Sequence, residues 1–242
     1  MINTDRKDTI YMQRLNFLRF IICLLWFGVT AEAGVHIVPD DKASIQEAID
    51  LAADFDTVLV FPGTYTEHID FTGKSIVVTS SGGSSETVLR PEDANVSLVT
   101  INSGEGEGTQ FSGFTLTGVL NAHALTIGNQ AVPQISHNVF YENIGAGISD
   151  KAVILCASDS GQTVITRNIF YDNLGIGCVW ILSGKTSVYN NTFVGNLTAV
   201  TSLSATCEVR NNIATGCLAT AMDGSYGVLD YNCWWNNYKD YG

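Results

Sequence analysis

Positive charge is scarce in this 242-residue chain: 12 lysines and arginines stand against 24 aspartates and glutamates, a formal charge of −12. So acidic a surface repels nucleic acid and anionic membranes, which removes both from the expected partners. An acidic polysaccharide is repelled too, unless calcium bridges the two. The repetitive half of the chain also lacks amphipathic runs of ten or more residues, which rules out helical repeats. The apolar run Phe20 to Val29, near the start of the chain, is too short to span a bilayer. No low-complexity linker or charge run divides the chain, so one elongated domain is expected.

What is present begins with a leader. The segment "FLRFIICLLWFGVTAEA" has an apolar core, Phe20 to Val29, behind Arg14 and Arg19, and closes on Ala31-Glu32-Ala33. This is the pattern of a secretory signal peptide over residues 1–33, with cleavage after Ala33 and Gly34 as the mature N-terminus. The long polar lead points to Met12 as the start of translation, and Cys23, without a small residue before it, argues against a lipoprotein anchor. The expected location is secreted, cell-surface or periplasmic, with no membrane span once the leader is gone. Cleavage takes four basic and three acidic residues, so the charge moves from −12 to −13.

Five cysteines then remain: Cys156, Cys178, Cys207, Cys217 and Cys233. An odd count leaves at least one unpaired, and the spacing fits neither a CxxC zinc site nor a small disulfide scaffold. Their pairing is open. Cys178 falls thirty residues after Ile148, at the equivalent point of the next repeat, which reads as a small buried apolar position.

The repeat itself is explicit. "ISHNVFYEN" at 135–143 returns as "ITRNIFYDN" at 165–173, then more loosely as "VYNNTFVGN" (188–196), "VRNNIATGC" (209–217) and "LDYNCWWNN" (229–237). The anchors Asn138, Asn168, Asn191, Asn212 and Asn232 lie 30, 23, 21 and 20 residues apart. Self-similarity at such a period is the mark of a stacked-coil fold. Each copy is short, rich in Ile, Val, Phe and Thr, and broken by Gly and Asn, as brief strands between tight turns would be. Coils of this kind stack in parallel about 4.8 Å apart. The expected fold is all-β: a right-handed parallel β-helix, a single solenoid of roughly eight coils. Ile135, Ile165, Phe140, Phe170 and Phe193 should fill its interior as aligned stacks. The asparagines should sit at left-handed turn positions and hydrogen-bond from coil to coil as a ladder.

An open stack needs a lid. In "SIQEAIDLAADFD" (44–56), Ser44 and Glu47 form a capping box, and Ile45, Ala48, Ile49 and Ala52 share one helical face. Residues 34–56 are thus expected to be a first strand and a capping helix over 44–54, and residues 57–242 the coils. "TVLVFPGTYTEHIDF" reads as strand, Pro62-Gly63 turn, strand. The chain stops at "NNYKDYG", directly after a repeat, as a monomer or a fragment of a longer chain would.

With "IQEAIDLAADFDTVLVFPGTYTEHIDFTGKSIVVTSSGG", "FSGFTLTG" (111–118) and the N-x-F-x-x-N coils in view, residues 36–238 resemble secreted right-handed parallel β-helix proteins of the pectate-lyase-like superfamily. The resemblance implies the fold. It leaves activity open, because that superfamily holds lyases, hydrolases, esterases, epimerases and surface proteins without known chemistry. Hydrolase signatures of the polygalacturonase kind, esterase signatures and the Gx-Sx-G elbow are not met, and His36, His68, His123 and His137 have no metal-ligand spacing.

A calcium-dependent lyase asks for less: carboxylates to hold the ion, and a basic side chain to take the proton it acidifies. Glu142 and Asp172 fall at the same exposed point of neighbouring copies, where they could share a Ca²⁺. Arg167 is the candidate proton acceptor, and His137, a candidate substrate contact, shares its column. Tyr141, Tyr171 and Trp235 fall in another column and are candidate sugar contacts. The same residues also read as solvated turn positions that any β-helix needs. Three functions follow: an exported domain that contacts polysaccharide or another surface polymer without catalysis, a calcium-dependent polysaccharide lyase, or a structural spacer or adhesin segment.

Overall fold

The computed structural model describes residues 32–144, 152–174, 177–204 and 206–241. The leader reading for residues 1–31 lies outside them. The chain divides into two compact units, Met1–Glu32 and Ala33–Gly242, and the second is the solenoid. Among the described residues no helix is long and apolar enough to cross a membrane.

Short β-branched and aromatic runs, cut by turn residues, become strands of mostly two to five residues. Each coil gives one strand to an eight-stranded parallel sheet: Gly63–Thr66, Thr87–Arg90, Thr115–Thr117, Val139–Tyr141, Ile169–Tyr171, Thr192–Val194, Ile213–Thr215 and Cys233–Trp235. These eight strands count eight coils. The other two sides of the coils merge into a fifteen-stranded sheet. They merge because Ala152–Thr166 and Gly177–Tyr189 run through a corner without interruption, with register shifts between Cys156 and Gln162. The architecture is the right-handed parallel β-helix that the repeats imply.

Register explains the core. Phe140, Phe170 and Phe193 pair across adjacent coils and stack face to face, with centroids 4.7 and 4.8 Å apart. Each such pair adds about 0.5–1.5 kcal/mol beyond the area it buries. Ile135, Ile165, Val188 and Val209 form a second buried stack. Cys156, Cys178, Cys207 and Cys217 are buried, Cys233 is exposed, and all five thiols are free. Cys178 lies across from Val153, between the pairs Ala152↔Gly177 and Ile154↔Val179, and not in the column expected from Ile148. Ile148 itself is outside the described residues, and the longer connection before Ala152 is what displaces the count.

The ladder is present in two columns. In the first, Asn138 Oδ1 accepts from the Phe114 N–H, and Asn168 Oδ1 accepts from both the N–H and the amide of Asn138. Asn191, Asn212 and Asn232 continue the pattern at 2.9–3.1 Å. Each amide also donates to a carbonyl of the coil before, as Asn168 Nδ2 does to Ile135 O at 3.0 Å. The second column holds Asn143, Asn173 and Asn196, then Cys217, then Asn237. The left-handed backbone falls one residue earlier than expected. His137, Arg167, Asn190, Asn211 and Tyr231 precede the first column with φ of 53–59°, and Glu142, Asp172 and Asn236 precede the second with φ of 50–55°. A left-handed L-residue costs roughly 1–2 kcal/mol. The three or four hydrogen bonds that the next asparagine makes, at about 1 kcal/mol each, outweigh it.

The lid is shorter than the expected 44–54: the helix spans Ile45–Leu51, and Ala52 leaves it with ψ 142°. Ile45, Ala48 and Ile49 are fully buried against the first coil. Half of the capping box forms. Ser44 Oγ accepts from Glu47 N–H at 3.2 Å, but the Glu47 carboxylate accepts from Ala43 rather than from Ser44. The open N–H groups of Ile45 and Gln46 go to Glu67, one coil on, at 3.0 and 2.9 Å.

Candidate functional site

The ladder fixes where each candidate residue stands. His137 and Arg167 occupy the left-handed turn before the eight-stranded sheet, and Glu142 and Asp172 the left-handed turn after it. The three-residue strands Val139–Tyr141 and Ile169–Tyr171 lie between. At about 3.3 Å per residue, the two turns are on the order of 13 Å or more apart. The carboxylates are thus neighbours across one coil spacing, whereas Arg167 stands at the opposite edge of the same face. His137, Arg167, Glu142 and Asp172 are all exposed. Among the described residues, no three His, Cys, Asp or Glu side chains converge into a metal-sized group.

Backbone demands shape the carboxylate turn. Asp172 is followed one coil later by Gly195, where a Cβ would come within 2.9 Å of Asp172 Oδ1. The glycine leaves room for the carboxylate to lie along the stack. Glu142 Oε1 accepts a short hydrogen bond from the Tyr141 hydroxyl. That bond, followed by desolvation and the negative charge of Glu142, pushes the Tyr141 phenol up to about 12. It therefore stays protonated at neutral pH.

The aromatic column is real in register: Thr117, Tyr141, Tyr171, Val194, Thr215 and Trp235 pair in succession. Tyr141 and Tyr171 stack on each other, with centroids 4.3 Å and planes 20° apart. Each ring covers one face of the other, so the pair offers edges and hydroxyls outward more than open faces. Trp235, at 74% exposure, carries the open indole of the column. Beside it, Ile169, Val194 and Ile213 are 40–49% exposed on the same outer side. This apolar side was not singled out in the sequence, although alternate residues of three-residue strands must face outward.

Sequence reasoning also missed a cleft of about 500 Å³ between the lid and the first coils, lined by Ser44, Gln46, Tyr65, Glu67, His68 and Glu92 among others. Its polar groups serve the fold. Glu67 holds the lid's N-terminus, and His68 bridges Ser97 O at 2.9 Å and Asp93 N–H at 3.1 Å. The contact between residues 45–46 and 67 depends on coil length, which no local motif encodes.

Residues 92–205, just under half of the chain, match the profile of the family described as Periplasmic copper-binding protein (NosD). No curated protein and no solved structure matches the chain. The matched stretch contains Asn138 through Asn196, so the chain is similar to that family over its most regular coils.

Proposed function

We propose that the chain is an exported β-helix domain, periplasmic or at the cell surface, that binds a polysaccharide or related surface polymer along the outer side of its eight-stranded sheet, without catalysis of its own. The column of Tyr141, Tyr171 and Trp235, flanked by exposed Ile169, Val194 and Ile213, carries this reading. The leader pattern and the similarity to a family described as periplasmic support the location. The acidic surface favours a neutral polymer. Affinity electrophoresis against a panel of polysaccharides tests it. Trp235→Ala should weaken binding about ten-fold, the effect of losing one aromatic anchor. Unchanged migration of wild type and variant across the panel would sink the reading in favour of a structural spacer.

Copper does not fit the residues at hand. Across 92–205 the nitrogen and sulfur donors copper prefers are His123, His137, Cys156 and Cys178. The two thiols are buried, and burial pushes both well above their ordinary range. His123 Nδ1 lies 2.8 Å from Ala152 O, while His137 is on an exposed turn. Four donors in such separate settings form no copper centre.

A calcium-dependent lyase is the second reading, favoured by the register that sets Glu142 beside Asp172. In it these two carboxylates would hold the ion. Arg167, on the order of 13 Å away at the opposite edge of the face, would clamp the polymer and not take the proton beside the ion-bound carboxyl. Millimolar calcium should then raise the melting temperature, and Glu142→Gln with Asp172→Asn should abolish the rise. Unsaturated product from pectic or alginate-type polymers should form only with calcium and disappear in that double variant. No shift and no product would leave binding as the function.

A further inference from the structure

At the start of the solenoid, the backbone N–H of Gly34 donates to Asp56 Oδ1 at 2.5 Å. The other carboxylate oxygen takes the Ala53 N–H at 2.8 Å and faces His36 Nε2 at 3.1 Å. Asp56 is 8% exposed. The Gly34 carbonyl is fixed as well, accepting from Thr57 N–H at 2.8 Å, and pairing continues from Val35 onward. Both polar groups of residue 34 are thus tied to residues 56 and 57. Ala33 and Glu32 before it are exposed.

Glycine at 34 answers to space. A Cβ there would lie 3.1 Å from Asp56 Oδ1 and 3.3 Å from Cγ, closer than ordinary contact. The carboxylate closes directly over the backbone nitrogen of the residue that follows Ala31-Glu32-Ala33. We propose that removal of the leader after Ala33 turns the Gly34 nitrogen into an α-ammonium captured by Asp56, so that export processing itself locks the first strand onto the β-helix. The inference rests on the leader reading of residues 1–33. Hydrolysis of the Ala33–Gly34 bond consumes one water, leaves a carboxylate on Ala33 and an amine on Gly34, and the amine takes up a proton. An amide N–H facing a nearly buried carboxylate becomes a full positive charge at the same place. The Gly34 amide already makes a charge-assisted bond to the carboxylate. Cleavage adds the attraction between two unit charges, strongest where water is excluded and offset in part by desolvation of the ammonium. His36 and Ala53 already hold the second oxygen, so the site is formed before the ammonium arrives.

The test uses the protein purified from an exporting host, its N-terminus sequenced and its melting compared in three forms. These are the exported product, the same product acetylated at its α-amine, and the uncleaved full chain made without export. The free Gly34 form should melt about 2–6 °C above the acetylated and uncleaved forms. Asp56→Asn should bring the exported and acetylated forms together. Should that variant fail to fold, the acylation rate of the wild-type α-amine gives a second measure. Pairing should slow it about ten-fold relative to the denatured chain, through a raised amine pKa. An exported product that starts at another residue overturns the proposal through the leader reading. A product that starts at Gly34 but melts with its acetylated form, or acylates at the denatured rate, overturns the ammonium lock and leaves the leader reading standing.

Discussion

At the scale of single residues, the amide ladder ties each coil to the next, and its gap is as informative as its rungs. Asn168 is 1% exposed, accepts from Asn138 twice and donates to Asn191 and Ile135. Asn168→Ala leaves the Asn138 N–H and the Ile135 carbonyl without their partner, and should cost about 1–3 kcal/mol by chemical denaturation. The left-handed residue is Arg167, so none of this cost is backbone strain. Cys217 is the reverse case. It stands in the second column between Asn196 and Asn237 but has no amide to offer. In Cys217→Asn the new side chain would accept from Asn196 and donate to Phe193 O, as Asn196 does to Phe170 O. A gain of about 0.5–1.5 kcal/mol is expected, and a loss in the same melt would mean that the corner cannot admit an amide. Asp56 predicts the response to acid. Hydrogen bonds from Ala53 and Gly34, then from His36, hold its carboxyl below the ordinary 3.8. Because the folded value is depressed, this stability is fully present above the unfolded value and is lost as pH falls through the folded one. Melting followed from pH 5 to pH 2 should therefore decline below about pH 4, and Asp56→Asn should flatten that decline.

At the scale of elements, the lid helix carries a disproportionate duty for its seven residues. Ile49 is fully buried between the helix and the first coil. Ile49→Ala should cost about 2–5 kcal/mol, and it should promote association by uncovering the end of the stack, visible in light scattering before the melt. Its periodic apolar face made this helix legible in the sequence, and the nine-residue repeats did the same for the coils from Val139–Tyr141 onward. Three features were not legible, each for a physical reason. A helix boundary depends on where the chain turns to meet the next strand, so Ala52 left the helix early. Counting thirty residues from Ile148 misplaced Cys178, because the two connections between coils differ in length. The left-handed position moved from Asn168 to Arg167 because the asparagine needs strand-like geometry to reach up and down the stack. The candidate columns were legible, since parallel register copies repeat alignment directly. The mutual stacking of Tyr141 and Tyr171 was not, because ring orientation depends on the neighbouring coil.

At the scale of the whole molecule, the charge decides which polymers can approach. The formal charge is −12, and the aromatic column adjoins Glu142 and Asp172 on the turn that follows it. In the proposed binding, a neutral polysaccharide would meet no long-range repulsion there, and its contacts with Trp235 and the outer apolar side would be short-ranged. Its affinity should be nearly independent of salt, because a Debye length of about 8–10 Å near physiological ionic strength leaves such contacts unscreened. A uronate polymer brings its own negative charge to the same face. It should bind only when a divalent cation lies between, at the millimolar concentrations typical of loose extracellular sites. The two cases separate in one experiment: affinity electrophoresis on neutral and uronate polymers, at low and high sodium chloride, with and without calcium. Neutral-polymer binding should survive both salts and weaken in Trp235→Ala. Uronate binding should appear with calcium and vanish when Glu142→Gln and Asp172→Asn are combined. Uronate retention without calcium at low salt would contradict the argument from charge, since the net charge of −12 should then repel the polymer.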